Sequence, residues 1–108
     1  MEPEDLDRLS LDRATRGDLD GLVALYERDA VLVTPDGGTV RGHQAIRRFY
    51  TQLLNDPRPF TGEVRPALRV GDLALTSTRF AAGATAEVAR RQPDGTWLWV
   101  IDQPNVLR

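Results

Sequence analysis

The chain has 108 residues, 41% of them hydrophobic, a formal net charge of −2, one His and neither Cys nor Lys. This fits one compact domain that buries roughly two-thirds of the surface its unfolded chain exposes, and the acidic balance makes it poor bait for nucleic acid. The missing residue types exclude Schiff-base lysines, thiol nucleophiles, disulfides and metal centres built from several imidazoles or thiolates. Only an oxygen-ligand metal site stays open, and no cofactor is expected.

The first residues are acidic, with Glu2, Glu4, Asp5 and Asp7 among them, and no stretch approaches the apolar length needed to span a bilayer. A soluble cytoplasmic protein without membrane contact is the expectation. Leu6, Leu9 and Ala14 predict a first helix that ends at Arg16 and Gly17. Asp18 then caps a second, in which Leu19, Leu22, Val23 and Tyr26 form an i, i+3, i+4, i+7 stripe. Ala30 to Thr34 reads as a strand stopped by the turn Pro35, Asp36, Gly37, Gly38, and Thr39 to Arg41 can pair back onto it. A third helix runs from Gly42 to about Asn55, with Ala45, Ile46, Phe49, Tyr50, Leu53 and Leu54 on one face.

Strand periodicity governs the second half. Val64, Leu68 and Val70 share a face, Pro66 marks an edge or bulge, and Gly71 with Asp72 offers a hairpin turn. Leu73 to Phe80, Ala84 to Arg91 and Thr96 to Gln103 follow as strands. Three helices and then an antiparallel meander define an α+β domain. The helices cover one face of a curved sheet, leaving a cavity between the layers.

Two stretches, GDLDGLVALYERDAV with RGHQAIRRFY and the terminal RRQPDGTWLWVIDQP, resemble nuclear transport factor 2-like domains, the superfamily of ketosteroid isomerases and SnoaL-like cyclases. The resemblance runs from about Leu6 to Pro104. It implies a cystatin-like cone, with three N-terminal helices packed on a strongly curved, mostly antiparallel sheet around a pocket, and a homodimer formed through the sheet. In ketosteroid isomerases a general-base Asp precedes the proline after the first strand. Here that place is Thr34, whose hydroxyl has no useful basicity near neutral pH. The oxyanion-stabilising Tyr falls at about Ser10, and its protonated Asp partner near Glu87 or Ala89. Isomerisation by that mechanism is not expected.

Glu87 alternates with Thr85 and Ala89. It is either an acid or base beside Tyr26 and Trp99 in the cone or a surface carboxylate paired with an Arg. The resemblance to SnoaL-like cyclases implies a strand Asp as acid/base, and Asp102 is the candidate. Alternation groups Asp102 with Leu98 and Val100, whereas alignment with the isomerases points Trp99 and Ile101 inward, leaving Asp102 on the opposite face unless a bulge re-aims it. Arg79 could clamp a ligand oxygen, against the favoured reading of an Arg at the rim or paired with Glu87. Asp36 reads as turn chemistry and His43 as an exposed imidazole. Tyr26, Phe49, Tyr50, Phe60, Trp97 and Trp99 form core and pocket wall.

The expectation is a cone that binds a hydrophobic or aromatic small molecule. If it is an enzyme, Glu87 or Asp102 moves a proton, while Ser10, Thr34, Tyr50 or Arg79 orients an oxygen. The alternatives are a non-catalytic binding module, or an interaction protein using an apolar patch of Leu98, Val100 and Val88.

Overall fold

A computed structural model describes residues 1–107. Helix α1 spans Asp5–Thr15, and its C-terminus closes through Gly17, whose φ of 69° lies where L side chains are disfavoured. Asp18 restarts the chain as expected, its carboxylate accepting from the Gly21 N–H at 3.0 Å to cap the short helix α2, Leu19–Val23. Tyr26 is not part of that helix. Strand β1, Tyr26–Val33, begins there, four residues before the sequence places it, because sheet pairing captures the chain: the Trp99 N–H donates to the Leu25 carbonyl at 2.8 Å.

Strand β2, Thr39–Arg41, pairs antiparallel with β1 across the Thr34 to Gly38 turn. Gly42, at φ 88°, reverses direction into helix α3, His43–Leu53, which buries Ile46 and Tyr50. The remaining strands are β3, Glu63–Val64; β4, Leu68–Val70; β5, Leu73–Thr76; β6, Thr78–Phe80; β7, Gly83–Ala84; β8, Ala86–Arg91; and β9, Trp97–Gln103. They form a six-stranded sheet in the order β2-β1-β9-β8-β5-β4 and a three-stranded sheet in the order β3-β6-β7. All pairs are antiparallel except β1 with β9. The fold is a cystatin-like α+β cone, with three helices on a curved sheet.

Two predicted continuities are broken. The expected strand from Leu73 to Phe80 divides at Ser77, its halves joining different sheets, and the expected face of Val64, Leu68 and Val70 is likewise split between β3 and β4. These breaks bend the sheet around the helices, as bulges and kinks do in strongly curved sheets. Pro66 stands just before β4, which is the edge strand its presence predicts. Leu6, Leu22, Tyr26, Leu32, Ile46, Trp97 and Trp99 fill the interior between helices and sheet, each at 2% exposure or less.

Candidate active site

A cavity of about 780 Å³ opens between α1, α3 and the inner face of the strands. Asp7, Ser10, Leu11 and Ala14 face it from α1, an i, i+3, i+4, i+7 stripe with two polar positions followed by two apolar ones. Phe49, Tyr50 and Leu53 line it from α3, Phe60 and Trp99 add aromatic wall, and the turns near Thr34, Arg58, Ala81 and Asn105 surround its mouth.

Three carboxyl groups sit in this otherwise largely apolar container: Asp7, Glu87 and Asp102, at 2%, 3% and 5% exposure. Strand register explains two of them. Thr76, Glu87 and Asp102 are cross-strand neighbours on β5, β8 and β9, so they form one inward row. The β9 ladder slips at Val100: Val88 faces Ile101, and the next residue, Ala89, faces Trp99. That bulge places Trp99 and Asp102 on the same inner side and turns Ile101 outward, where it is 47% exposed.

Hydroxyl groups donate to one oxygen each of Glu87 and Asp102. Thr76 Oγ1 donates to Glu87 Oε1 at 2.7 Å and accepts from Trp99 Nε1 at 3.1 Å. The Tyr26 hydroxyl donates to Asp102 Oδ2 at 2.5 Å and lies 2.6 Å from the Tyr50 hydroxyl. Because Tyr26 spends its proton on Asp102, the bond between the two tyrosines runs from Tyr50 to Tyr26. A chain of hydroxyls therefore connects the Asp102 carboxylate to Tyr50 at the cavity wall. Ser10 on α1 borders the cavity together with Tyr50.

Burial sets the acidities. It pushes the Asp102 carboxyl up to about 7, against the opposing pull of the Tyr26 hydrogen bond. Glu87 is pushed up to about 10, first by burial and then by the neighbouring charges of Asp102 and Asp7. Asp7 is raised by burial as well, and both tyrosines are held neutral by the same desolvation. Near neutral pH the cavity thus contains a firmly protonated acid, Glu87, beside a carboxyl poised to release its proton, Asp102.

Of the residues singled out from sequence, Ser10, Thr34, Phe49, Tyr50, Phe60, Glu87, Trp99 and Asp102 border the cavity. Tyr26 lies beneath it, reaching the site through its hydroxyl bonds and its ring contacts with Tyr50 and Trp99. Two of the candidates lie outside the cavity. Ile101 points outward while Asp102 points inward, the reverse of the aligned orientation, because the bulge adds one residue to the alternation. Arg79 stays outside with its side chain 65% exposed and 3.8 Å from Glu63, because its neighbours Thr78 and Phe80 take the inward positions of β6. Asp36 is turn chemistry, accepting from the Thr34 hydroxyl and from the Gly38 N–H at 2.9 Å. His43 is half-buried rather than exposed, with Nε2 2.8 Å from the Tyr26 carbonyl oxygen. Asp7 escaped the sequence reading.

A cone of this topology, closed over a cavity by three helices, defines the nuclear transport factor 2-like class. The family model described as SnoaL-like domain matches residues 8–105, and the chain belongs to that family. Solved structures with the same fold include a ketosteroid isomerase-like protein from Erwinia carotovora atroseptica, 17% identical with a TM-score of 0.80, the match covering 93% of this chain and 89% of that one. A cystatin-like domain of unknown function from Nostoc punctiforme is 20% identical with a TM-score of 0.77, over 94% of this chain and 73% of the other. A proposed dehydratase of the nuclear transport factor 2-like family from Streptomyces avermitilis is 17% identical, TM-score 0.72, over 91% and 88%.

Proposed function

We propose that this SnoaL-like protein binds a hydrophobic or aromatic small molecule in its cone and carries out cofactor-independent acid/base chemistry of the isomerase or cyclase type. The observation that supports the reading is the burial of two carboxyls, Glu87 and Asp102, in one cavity with apolar walls, which pushes the first up to about 10 and the second to about 7. Asp102 in its ionised form takes a proton from a carbon next to a ligand carbonyl, while Glu87 gives its proton to the carbonyl oxygen. The enol so formed is discharged by the reverse transfers, the proton returning to the same carbon or a conjugated one. Tyr50 orients the oxygen. The base here is Asp102 of the last strand, since Thr34 stands where the isomerases have theirs. The neighbours described as a ketosteroid isomerase-like protein and a proposed dehydratase are compatible with proton-transfer chemistry on this fold.

The test starts from the ligand that co-purifies with the protein, identified by mass spectrometry, or from a panel of fused-ring aromatic ketones. Deuterium uptake at the α-carbon is followed by NMR. Glu87→Gln and Asp102→Asn are each expected to slow exchange by about 10²-fold or more. Unchanged exchange in both variants removes the mechanism and leaves a binding module.

The outer face of the sheet supports a second element of the reading, a homodimer. By register, Val31, Ile101, Val88, Leu75 and Leu68 are successive cross-strand neighbours on five strands, so one apolar row crosses nearly the whole sheet. Leu68, Leu75 and Ile101 in it are 70%, 46% and 47% exposed, and Val70 and Leu73 extend the patch at 82% and 48%. The patch is larger than the expected one, whose Leu98, Val100 and Val88 are only half-buried here. A continuous apolar sheet face of this kind marks an interaction surface, and a second copy of the same face offers a matching row. Light scattering at micromolar concentration is expected to give twice the chain mass, and Leu75→Glu the chain mass itself. A monomeric wild type would end the dimer proposal.

A further inference from the structure

Asp7 is the one carboxyl in the cavity that helix α1 supplies, and its Oδ2 is buried without a hydrogen-bond partner among the described residues. A buried polar atom left unpaired calls for an explanation. Glu87 borders the same cavity from β8, and its carboxyl lies within hydrogen-bonding reach of Asp7. Two ionised carboxylates present only acceptors, so neither could satisfy the other, and two adjacent buried negative charges would repel strongly. One proton resolves both problems. Held by one carboxyl, it is the donor that the other lacks.

We propose that Asp7 and Glu87 hold a single proton between them at the cavity floor, Asp7 being the positioning residue that keeps Glu87 a proton donor. The groups around the pair favour this state. Thr76 on β5 donates to Glu87 Oε1, which leaves Oε2 free to carry or accept the proton. Thr78 at the start of β6 and Thr85 just before β8 border the same cavity. Asp102 on β9 adds negative charge beside Glu87, and Tyr50 on α3 is a neutral neighbour. On α1, Glu4 and Arg8 act on Asp7 with opposite signs. Arg8 is 61% exposed in its side chain and already 3.1 Å from Asp5, so solvent screens the cation. With no buried Arg among the described residues, a proton is the available counter-charge.

The catalytic meaning of the pair rests on the acid/base reading above, but the pair can be tested without a ligand. Carbon-detected NMR of the side-chain carboxyls, on the full chain, follows Asp7 and Glu87 through a pH titration. In the wild type both resonances are expected to move in two steps at the same two midpoints, the signature of a shared titration. Asp7→Asn is expected to lower the Glu87 midpoint by at least one pH unit, because it removes both the neighbouring charge and the acceptor for the Glu87 proton. Any pH limb of turnover governed by Glu87 moves down with it. Independent single-step titrations in the wild type, or a Glu87 midpoint unmoved by Asp7→Asn, would overturn the assignment. Should Asp7→Asn fail to fold, the wild-type titration decides alone. Absence of turnover with a shared titration intact would remove the enzyme reading and leave the proton pair standing.

Discussion

Denaturant-unfolding free energies are expected to fall continuously from pH 5 to pH 9, by about 3 to 5 kcal/mol over the first two units alone. The folded protein holds the Asp102 proton up to about pH 7 and the Glu87 proton up to about pH 10. Unfolded, both carboxyls release their protons near pH 4. Within that window the folded state carries more protons than the unfolded one, so raising the pH favours unfolding. Each such group contributes a slope of up to about 1.4 kcal/mol per pH unit, which is large beside a typical total of about 5 to 15 kcal/mol. The stabilisation is complete below about pH 4 for these groups and is lost as the pH rises through each folded-state value.

Other ionisable groups do not mask the trend. Asp36 and Asp94 are held below the usual carboxylate range by hydrogen bonds from Thr34 and Thr96, and Glu4 by one from the Ala67 N–H. Their stability contribution is lost as the pH falls, below the window in question. Surface pairs such as Arg90 with Glu27, at 2.9 Å, are solvated and screened. Glu87→Gln and Asp102→Asn are each expected to take about one proton's worth of slope out of the curve. A flat profile between pH 5 and pH 9 would mean that water or a counter-charge reaches the cavity carboxyls, and the acid/base assignment would go with it.

Much of the scaffold is written in local patterns. The apolar stripe of α3, the Asp18 cap and the Pro35 to Gly38 turn each depend on residues within one or two turns of chain, and they form as the sequence predicts. What failed depends on distant partners. Tyr26 completes a helical stripe with Leu19, Leu22 and Val23, yet pairing with Trp99, far along the chain, draws it into β1. Whether a bulge re-aims Asp102 is open in the sequence, because the partner strand decides it, and a single extra residue at Val100 exchanges the faces of Ile101 and Asp102. Asp7 had a visible signal. Asp7, Ser10, Leu11 and Ala14 share helical spacing, but polar residues in such a stripe look like its solvent edge until a sheet is laid against them.

Tyr26→Phe is expected to destabilise the protein by about 1 to 3 kcal/mol, although it removes a single oxygen atom. That oxygen is the junction of the buried chain: it gives its proton to Asp102 and receives one from Tyr50. Phenylalanine leaves Asp102 Oδ2 without its donor and the Tyr50 hydroxyl without its acceptor, in a place where water does not readily replace either. The ring itself is retained, with its edge-on contact to Trp99 at 5.3 Å between centroids, so packing is not the source of the loss. Tyr26→Ala removes the ring too and is expected to cost about 3 to 5 kcal/mol or more, the range for deleting a large buried aromatic. The two variants separate hydrogen bonding from packing. The Phe variant also carries a signature that packing alone would not give. The Tyr26 hydrogen bond is what pulls the Asp102 carboxyl down against burial, so its removal moves the Asp102 midpoint upward. Less Asp102 is then ionised at pH 7, and exchange at a ligand α-carbon is expected to slow at neutral pH and recover toward alkaline pH. Carboxyl-carbon NMR of Asp102 in the Phe variant reads that shift directly. A midpoint that stays in place would show that the hydroxyl chain from Tyr50 through Tyr26 does not tune the base.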